Sequence, residues 1–306
     1  MSPRLITLTL NPALDLAADA DAVVPTHKIR MHHEHADAGG GGVNVARVIH
    51  ALGGDTLAII AAGGASGRVL EEMLDEAGVP RRSVLIQGRT RVSLNVLDVH
   101  SGLEYRFAPE GPTLSELEYQ AFLDAVSAAE GEWVIASGSL PHGVPDDAYA
   151  EMACIAAGQG RRFALDTSGV ALRMALERGG LELVKPSLNE LEQLVGRDLA
   201  ETAAQDTEAM ALVRSGAARL VALTLGRDGA LLASADGVLR TPAMDVPMQS
   251  SVGAGDAFLG AMALALARGA SQREALGWGP PRGRPSSPAR GRRECGGRMW
   301  RGDIEN

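Results

Sequence analysis

The most reactive-looking stretch of the chain is Ser251-Val252-Gly253-Ala254-Gly255-Asp256, which opens an apolar run containing Phe258, Ala261, Met262, Leu264 and Leu266. Glycines at the start of a helix let backbone N–H groups approach an anion, and the helix dipole favours negative charge there. Beside a phosphate, the Asp256 carboxylate could also take a proton from a hydroxyl. The plainer reading is an Asp in a first helical turn. A second stretch, Gly39-Gly40-Gly41-Gly42-Val43-Asn44, also feeds a helix. It lacks the Gly-Lys-Ser/Thr ending of a P-loop and the spaced glycines of a dinucleotide site. Its backbone can still be approached closely by a ligand, with Asn44 as a hydrogen-bonding group nearby; a flexible loop is the alternative.

Three further stretches sit where strands should end. Ser137-Gly138-Ser139-Leu140-Pro141 follows a buried-looking strand, and open α/β sheets bind ligands at strand C-termini. Val184-Lys185-Pro186-Ser187-Leu188-Asn189-Glu190 places a cation at a strand end and a carboxylate in the next helix's first turn. Thr224-Leu225-Gly226-Arg227-Asp228-Gly229 reads as a turn between strands. Each taken alone has an ordinary structural explanation; only order and spacing give them weight together.

The elements that must position these residues alternate. Strands are expected at Leu5–Leu10, Leu57–Ala62, Trp133–Ser137, Phe163–Asp166, Leu181–Lys185 and Leu220–Leu225. Helices are expected over Val43–Leu52, around Val69–Ala77, from Ser115 (a capping box with Glu118) to about Ala129, from about Pro145, over Leu188–Val195 and over Gly255–Arg268. This alternation argues an α/β fold with a mostly parallel sheet covered on both faces. Ala22–His35 and Val92–Phe107 differ: they look like β segments with polar faces, able to pair into a small second sheet.

Composition narrows the function classes. The net charge of −9 argues against a nucleic-acid partner. No apolar run approaches the roughly 20 residues of a membrane span, and no signal-peptide pattern precedes the first strand. The two cysteines, Cys154 and Cys295, have neither metal spacing nor the number for a disulfide framework. A cytoplasmic globular protein is expected.

The last 27 residues, from Pro280, break the pattern: seven Arg stand against three acidic residues, while the body carries 22 basic against 35 acidic. A disordered basic tail and a basic interaction arm both fit. The favoured reading is a shifted reading frame, because the helix beginning near Ser271 is cut off by Pro280-Pro281 and a GC-rich gene read out of frame yields Arg, Gly and Pro.

In order and spacing, the motifs resemble those of the ribokinase-like carbohydrate kinases, the PfkB family. The match runs from TLTLNPALDL at Thr7 through GGGGVNVAR, YRFAPEGP, ASGSLPHGV, LDTSG, ELVKPSLNEL and TLGRDGALL to SSVGAGDAFLGAM, over residues 5 to about 279. The resemblance implies a three-layer ribokinase-like α/β domain over 1–279, with lid segments at about 15–35 and 89–107, and a homodimer through the lid. It implies ATP and Mg²⁺, and a small sugar phosphate as acceptor. Asp256 would be the catalytic base, with Gly253, Ala254 and Gly255 forming the anion hole. Asp15, Gly40, Gly41 and Asn44 would hold the sugar; Lys28, Arg91 and Ser139 would meet its phosphate. Lys185, Ser187, Thr224, Gly226 and Gly229 would serve ATP, and Glu190 would hold magnesium through water.

Gly41 stands where many sugar-1-phosphate and tagatose-6-phosphate kinases of the family carry Lys. This points to the 6-phosphofructokinase branch and to fructose 6-phosphate, with tagatose 6-phosphate kinase, 1-phosphofructokinase or a non-catalytic sugar-phosphate binder as alternatives. Two departures stand out. Ser187 replaces the Asn that usually begins the Asn-x-x-Glu magnesium motif. Past Gly279, the small-residue helix that relatives pack beside the nucleotide base is missing, which should uncover Phe258, Met262 and Leu266.

Overall fold

A computed structural model describes residues 4–243 and 253–278. In chain order the elements are β1 (Arg4–Thr9), β2 (Ala13–Ala20), β3 (Met31–Gly39), α1 (Gly41–Ala51), β4 (Asp55–Ala62), α2 (Gly64–Glu76), β5 (Arg81–Leu85), β6 (Arg91–Asp98), β7 (Glu104–Phe107), α3 (Glu116–Ser127) and β8 (Trp133–Ser137). There follow α4 (Ala148–Gly158), β9 (Arg162–Asp166), α5 (Gly169–Arg178), β10 (Leu181–Val184), α6 (Leu188–Val195), α7 (Thr202–Arg214), β11 (Ala218–Thr224), β12 (Ala230–Ser234), β13 (Gly237–Thr241), α8 (Ala254–Ala267) and α9 (Gln272–Leu276).

Nine strands make the main sheet, in the order β13-β12-β11-β10-β9-β8-β1-β4-β5. All neighbours from β11 to β5 run parallel; β12 and β13 close one edge as an antiparallel hairpin. Strands buried on both faces need apolar side chains in both directions. In β8, Val134 and Ala136 join one core with α3 to α7, while Trp133 and Ile135 join the opposite core with α1, α8 and α9. The helix capping box at Ser115 and Glu118 is present as expected.

Chain order runs outward in both directions from β1: β4 and β5 lie on one side, β8 to β11 on the other. The crossovers therefore diverge at the C-terminal ends of β1 and β8, the point of an open sheet where a crevice forms. Glycines allow the approach there. A Cβ on Gly42 would lie 2.3 Å from the Leu8 carbonyl oxygen, and one on Gly41 would lie 2.2 Å from Ser137 Oγ, so α1 starts in direct contact with both strand ends.

The second sheet has four strands, ordered β3-β2-β6-β7. It contains the two polar β segments but not with the expected bounds. The stretch from Asp21 to Arg30 is a connection, and β2 begins at Ala13, before the lid was expected to start. The ALDLAADA sequence of β2 has no β-branched residue; pairing with β3 on one side and β6 on the other makes it a strand, which local propensity does not show.

Phe258 and Met262 are fully buried against α1 and the sheet, so the expectation that they would be uncovered does not hold; Leu266 is partly buried. The Arg-, Gly- and Pro-rich tail lies outside the described residues. Among the described residues, no helix is long and apolar enough to cross a membrane.

Candidate active site

Two helices begin side by side at the crevice. α1 is capped by Gly40 at φ 103°, and α8 by Gly253 at φ 82°; neither has a side-chain cap. Both values lie in the region open to glycine, and among the described residues no side chain caps the first-turn N–H groups of either helix, which suits an anion there. The two motifs, far apart in sequence, are joined directly: Asn44 Nδ2 donates to Asp256 Oδ2 at 3.0 Å. Ser137 Oγ donates to Asp256 Oδ1 at 3.1 Å. Asp256 is thus aimed by α1 on one side and by the end of β8 on the other.

Behind it lies a buried charge cluster. Lys185 Nζ sits 3.1 Å from Asp166 Oδ1, with both side chains largely out of solvent. Gly255 makes room for the ammonium: a Cβ there would stand 3.3 Å from Lys185 Nζ. Burial pushes the Asp256 carboxyl above the usual carboxylate range, against the pull of Asn44, Lys185 and Ser137. Burial likewise raises Asp166 to about 6, opposed by Lys185 and reinforced by the charge of Asp256. For Lys185, burial alone would lower the pKa, but Asp166, Glu190 and Asp256 together hold it above its ordinary value.

The residues expected on the nucleotide side lie at the ends of β10 and β11. Ser187 is the N-cap of α6: its hydroxyl accepts from the Glu190 N–H at 3.3 Å, and its own N–H donates to Glu190 Oε2 at 2.7 Å. The Ser in place of Asn therefore has a structural use, a capping box. It occupies Oε2 of Glu190 and leaves Oε1 with no hydrogen-bond partner among the described residues. Thr224 joins this end through its N–H to the Pro186 carbonyl oxygen at 3.0 Å. Gly229 is held at φ 98°, where a Cβ would meet the Thr241 carbonyl oxygen at 2.0 Å; Gly226 opens the same turn at φ 59°.

Of the residues expected on the sugar side, Asp15 and Arg91 lie on the second sheet, while Asn44 is in α1 and Ser139 follows β8. Asp15 is lifted above the usual carboxylate range by burial, against a hydrogen bond from Ser93 and the charges of Arg91 and Arg106. Arg91 donates to the carbonyl oxygens of Pro109 and Asn11, each at 3.0 Å. Asn11 in turn donates to the Glu110 carbonyl oxygen at 2.7 Å and to Ser139 Oγ at 3.3 Å. The loop carrying Ser139 is braced at Gly138, whose carbonyl oxygen accepts from Tyr149 Oη and Thr167 Oγ1, both at 2.9 Å. Lys28 is the exception. It is exposed in the connection between β2 and β3, and no hydrogen bond or ion pair ties it to the other site residues among those described.

Sequence reasoning assigned no role to Asp166, Ser137, Asn11 or Arg106. A usable signal existed for Asp166, a carboxylate ending an otherwise apolar strand within LDTSG. Asn11 and Ser137 fall inside stretches singled out in the sequence, but nothing local points to their contacts, which lie more than 100 residues away.

A carboxylate between two uncapped helix N-termini, at the switch point of a parallel sheet and faced by a second sheet, is the arrangement of a ribokinase-like small-molecule kinase. The pfkB family carbohydrate kinase profile matches residues 8–279, and the chain belongs to that family. It is 41% identical to the ATP-dependent 6-phosphofructokinase isozyme 2 of Mycobacterium tuberculosis over 269 residues, covering 87% of this chain and 79% of that protein. It is 39% identical to the isozyme 2 of Escherichia coli K12 over 293 residues, 95% of each chain. The crystal structure of phosphofructokinase-2 from Escherichia coli in complex with fructose-6-phosphate superposes with a TM-score of 0.85, covering 90% of this chain and 91% of that one. A 1-phosphofructokinase of Xanthomonas campestris is more distant, at 33% identity over 90% of this chain and 87% of that protein.

Proposed function

We propose that this carbohydrate kinase transfers the γ-phosphoryl group of ATP to the 1-hydroxyl of fructose 6-phosphate, giving fructose 1,6-bisphosphate and ADP. The observation that carries the reading is Asp256, hydrogen-bonded by Asn44 and Ser137 at the uncapped start of α8. Phosphoryl transfer asks the protein for positioning and charge stabilisation more than for covalent chemistry. Asp256 takes the hydroxyl proton as the oxygen attacks, and the free N–H groups at Gly253, Ala254 and Gly255 face the charge on the transferring group. Asp15, Asn44 and the backbone at Gly40 and Gly41 hold the sugar. Lys185, Ser187, Thr224, Gly226 and Gly229 line the nucleotide side. The choice of fructose 6-phosphate is supported by the isozyme 2 relatives being nearer than the 1-phosphofructokinase.

Magnesium suits the oxygen donors present. Among the described residues Glu190 Oε1 has no hydrogen-bond partner, and Asp166 lies close enough for their charges to interact. These two would hold the ion, with waters completing its shell, and it would neutralise charge on the nucleotide phosphates. A homodimer through the lid fits the exposed apolar side chains of the second sheet and its connections, Val24, Met31, Val92 and Phe107.

Steady-state turnover with product identification tests the proposal: ADP and fructose 1,6-bisphosphate should form in equal amounts. Binding of fructose 6-phosphate without ADP formation would leave a sugar-phosphate binder instead. Arg91 should recognise the phosphate. Arg91→Ala is expected to cost about 1.5–3 kcal/mol in fructose 6-phosphate affinity and much less for fructose; equal losses on both, by calorimetry, would place its action elsewhere.

Acid should switch the reaction off early. Asp256 and Asp166 are both raised, so as pH falls they take up protons above the ordinary carboxylate range. The acid limb of kcat is expected above the ordinary carboxylate range, because burial raises Asp256. Removing the neighbouring like charge with Asp166→Asn should move any residual limb to lower pH. A limb at the ordinary carboxylate value in the parent enzyme would refute the coupling.

The tail after Gly279 we infer to be a frameshifted replacement. The family profile stops at residue 279, where composition changes. The alignment with the Escherichia coli relative, at 95% of this chain, nevertheless extends into the tail. Restoring the alternative frame should raise Tm and lower the KM for ATP. Identical values for that protein, the present chain and a chain ending at Gly279 would show the tail to be an appendage.

A further inference from the structure

The second sheet also brings together three side chains of metal-ligating type that are not among the residues assigned above. β2 pairs with β6 in unbroken register from Ala13 to Ala20. Its pairing with β3 slips: Ala17 faces His35, but Asp19 faces His32, so β3 holds one extra residue. His33 lies in that bulge at φ 55°, one of two non-glycine residues with positive φ among those described. Adjacent side chains of a regular strand point to opposite faces. Here the left-handed backbone cancels the alternation, and the rings of His32 and His33 meet edge to face with centroids 4.8 Å apart.

We propose that Asp19, His32 and His33 form a site for a divalent transition-metal ion such as Zn²⁺, clamping β2 to β3. One ligand atom from each of the three lies within 4.8 Å of the others, and His33 Nδ1 is 3.0 Å from Asp19 Oδ2. Two imidazole nitrogens and one carboxylate oxygen suit Zn²⁺, Ni²⁺ or Cu²⁺ and not Mg²⁺, which selects oxygen donors. A three-ligand set leaves a coordination position for water. Asp21, with Oδ1 4.0 Å from His32 Nε2, adds negative charge at the edge of the cluster. Bulges and left-handed non-glycine residues are features a fold retains where they aim side chains. Two-residue alternation along β2 puts Asp19 on the same face of the lid as Asp15, four residues earlier, so an ion here would stiffen the sheet that carries the sugar-side carboxylate.

The test is a Zn²⁺ titration of the untagged full chain in excess Mg²⁺, read by competition with a chromophoric chelator. One Zn²⁺ per chain is expected, with a rise in Tm on binding. His33→Gly keeps a residue comfortable at positive φ while removing the imidazole, so it leaves the lid backbone intact. This variant, His32→Ala and Asp19→Asn should each weaken Zn²⁺ binding by at least about 10-fold and lose the Tm rise. A parent chain that binds no Zn²⁺ in the presence of Mg²⁺, or a His33→Gly chain that binds it as tightly as the parent, overturns the proposal.

Discussion

Asp256→Asn is expected to lower kcat by about 10² or more, as the loss of the proposed general base would, with fructose 6-phosphate and ATP binding nearly as before. The change should be almost silent structurally. The new amide oxygen can accept from Asn44 Nδ2, and the amide nitrogen can donate to Ser137 Oγ, because a hydroxyl both donates and accepts. Only basicity is lost. Turnover near the parent value would remove Asp256 from the chemistry. A loss of binding equal to the loss in kcat would make it a ligand-binding group instead.

Lys185→Met destabilises the fold by about 3–5 kcal/mol, the cost of leaving one member of a buried ion pair alone. Lys185 is 5% exposed and holds Asp166 at 3.1 Å, so no solvent replaces it. The loss should depend on pH with a definite sign. Asp166 already has a folded-state pKa above its unfolded value, and without the ammonium it rises further. A raised carboxylate costs stability above its folded pKa and regains it as pH falls through that value. The variant should therefore become relatively more stable on acidification from neutral pH. Lys185→Met combined with Asp166→Asn should recover most of the loss. Urea denaturation of the parent, the two single variants and the double variant measures this; additive effects would mean that the pair is not coupled.

The sequence carried the outline of both fold and site, for reasons visible at individual residues. β8 and α6 were placed at their observed bounds because each is marked locally: Trp133–Ser137 is a short continuous apolar run, and Glu190 reads as the carboxylate of a first helical turn after Pro186. Elements without such marks were missed. α7 buries only Gln205 and Ala209, so it has no apolar stripe to read, and α5 (GVALRMALER) is too mixed for a clear period; β12 was implied by the turn at Thr224–Gly229 but given no bounds. The site shows the same division. Asp256, Asn44 and the glycines were legible because helix starts have a composition of their own. The contacts that aim Asp256 were not, because Ser137 reaches it across 119 residues and the Asp166–Lys185 pair joins two strand ends. The use of Ser187 as a cap became visible only with Glu190 turned back onto it.

The identity of the acceptor is what most defines this kinase. The direct measurement is kcat/KM for ATP-dependent phosphorylation of fructose 6-phosphate, tagatose 6-phosphate, fructose 1-phosphate and unphosphorylated fructose by the full chain. The highest value is expected for fructose 6-phosphate, with fructose 1,6-bisphosphate as the product. A higher value for any of the other three, or no product from fructose 6-phosphate at saturating ATP and Mg²⁺, would contradict this assignment.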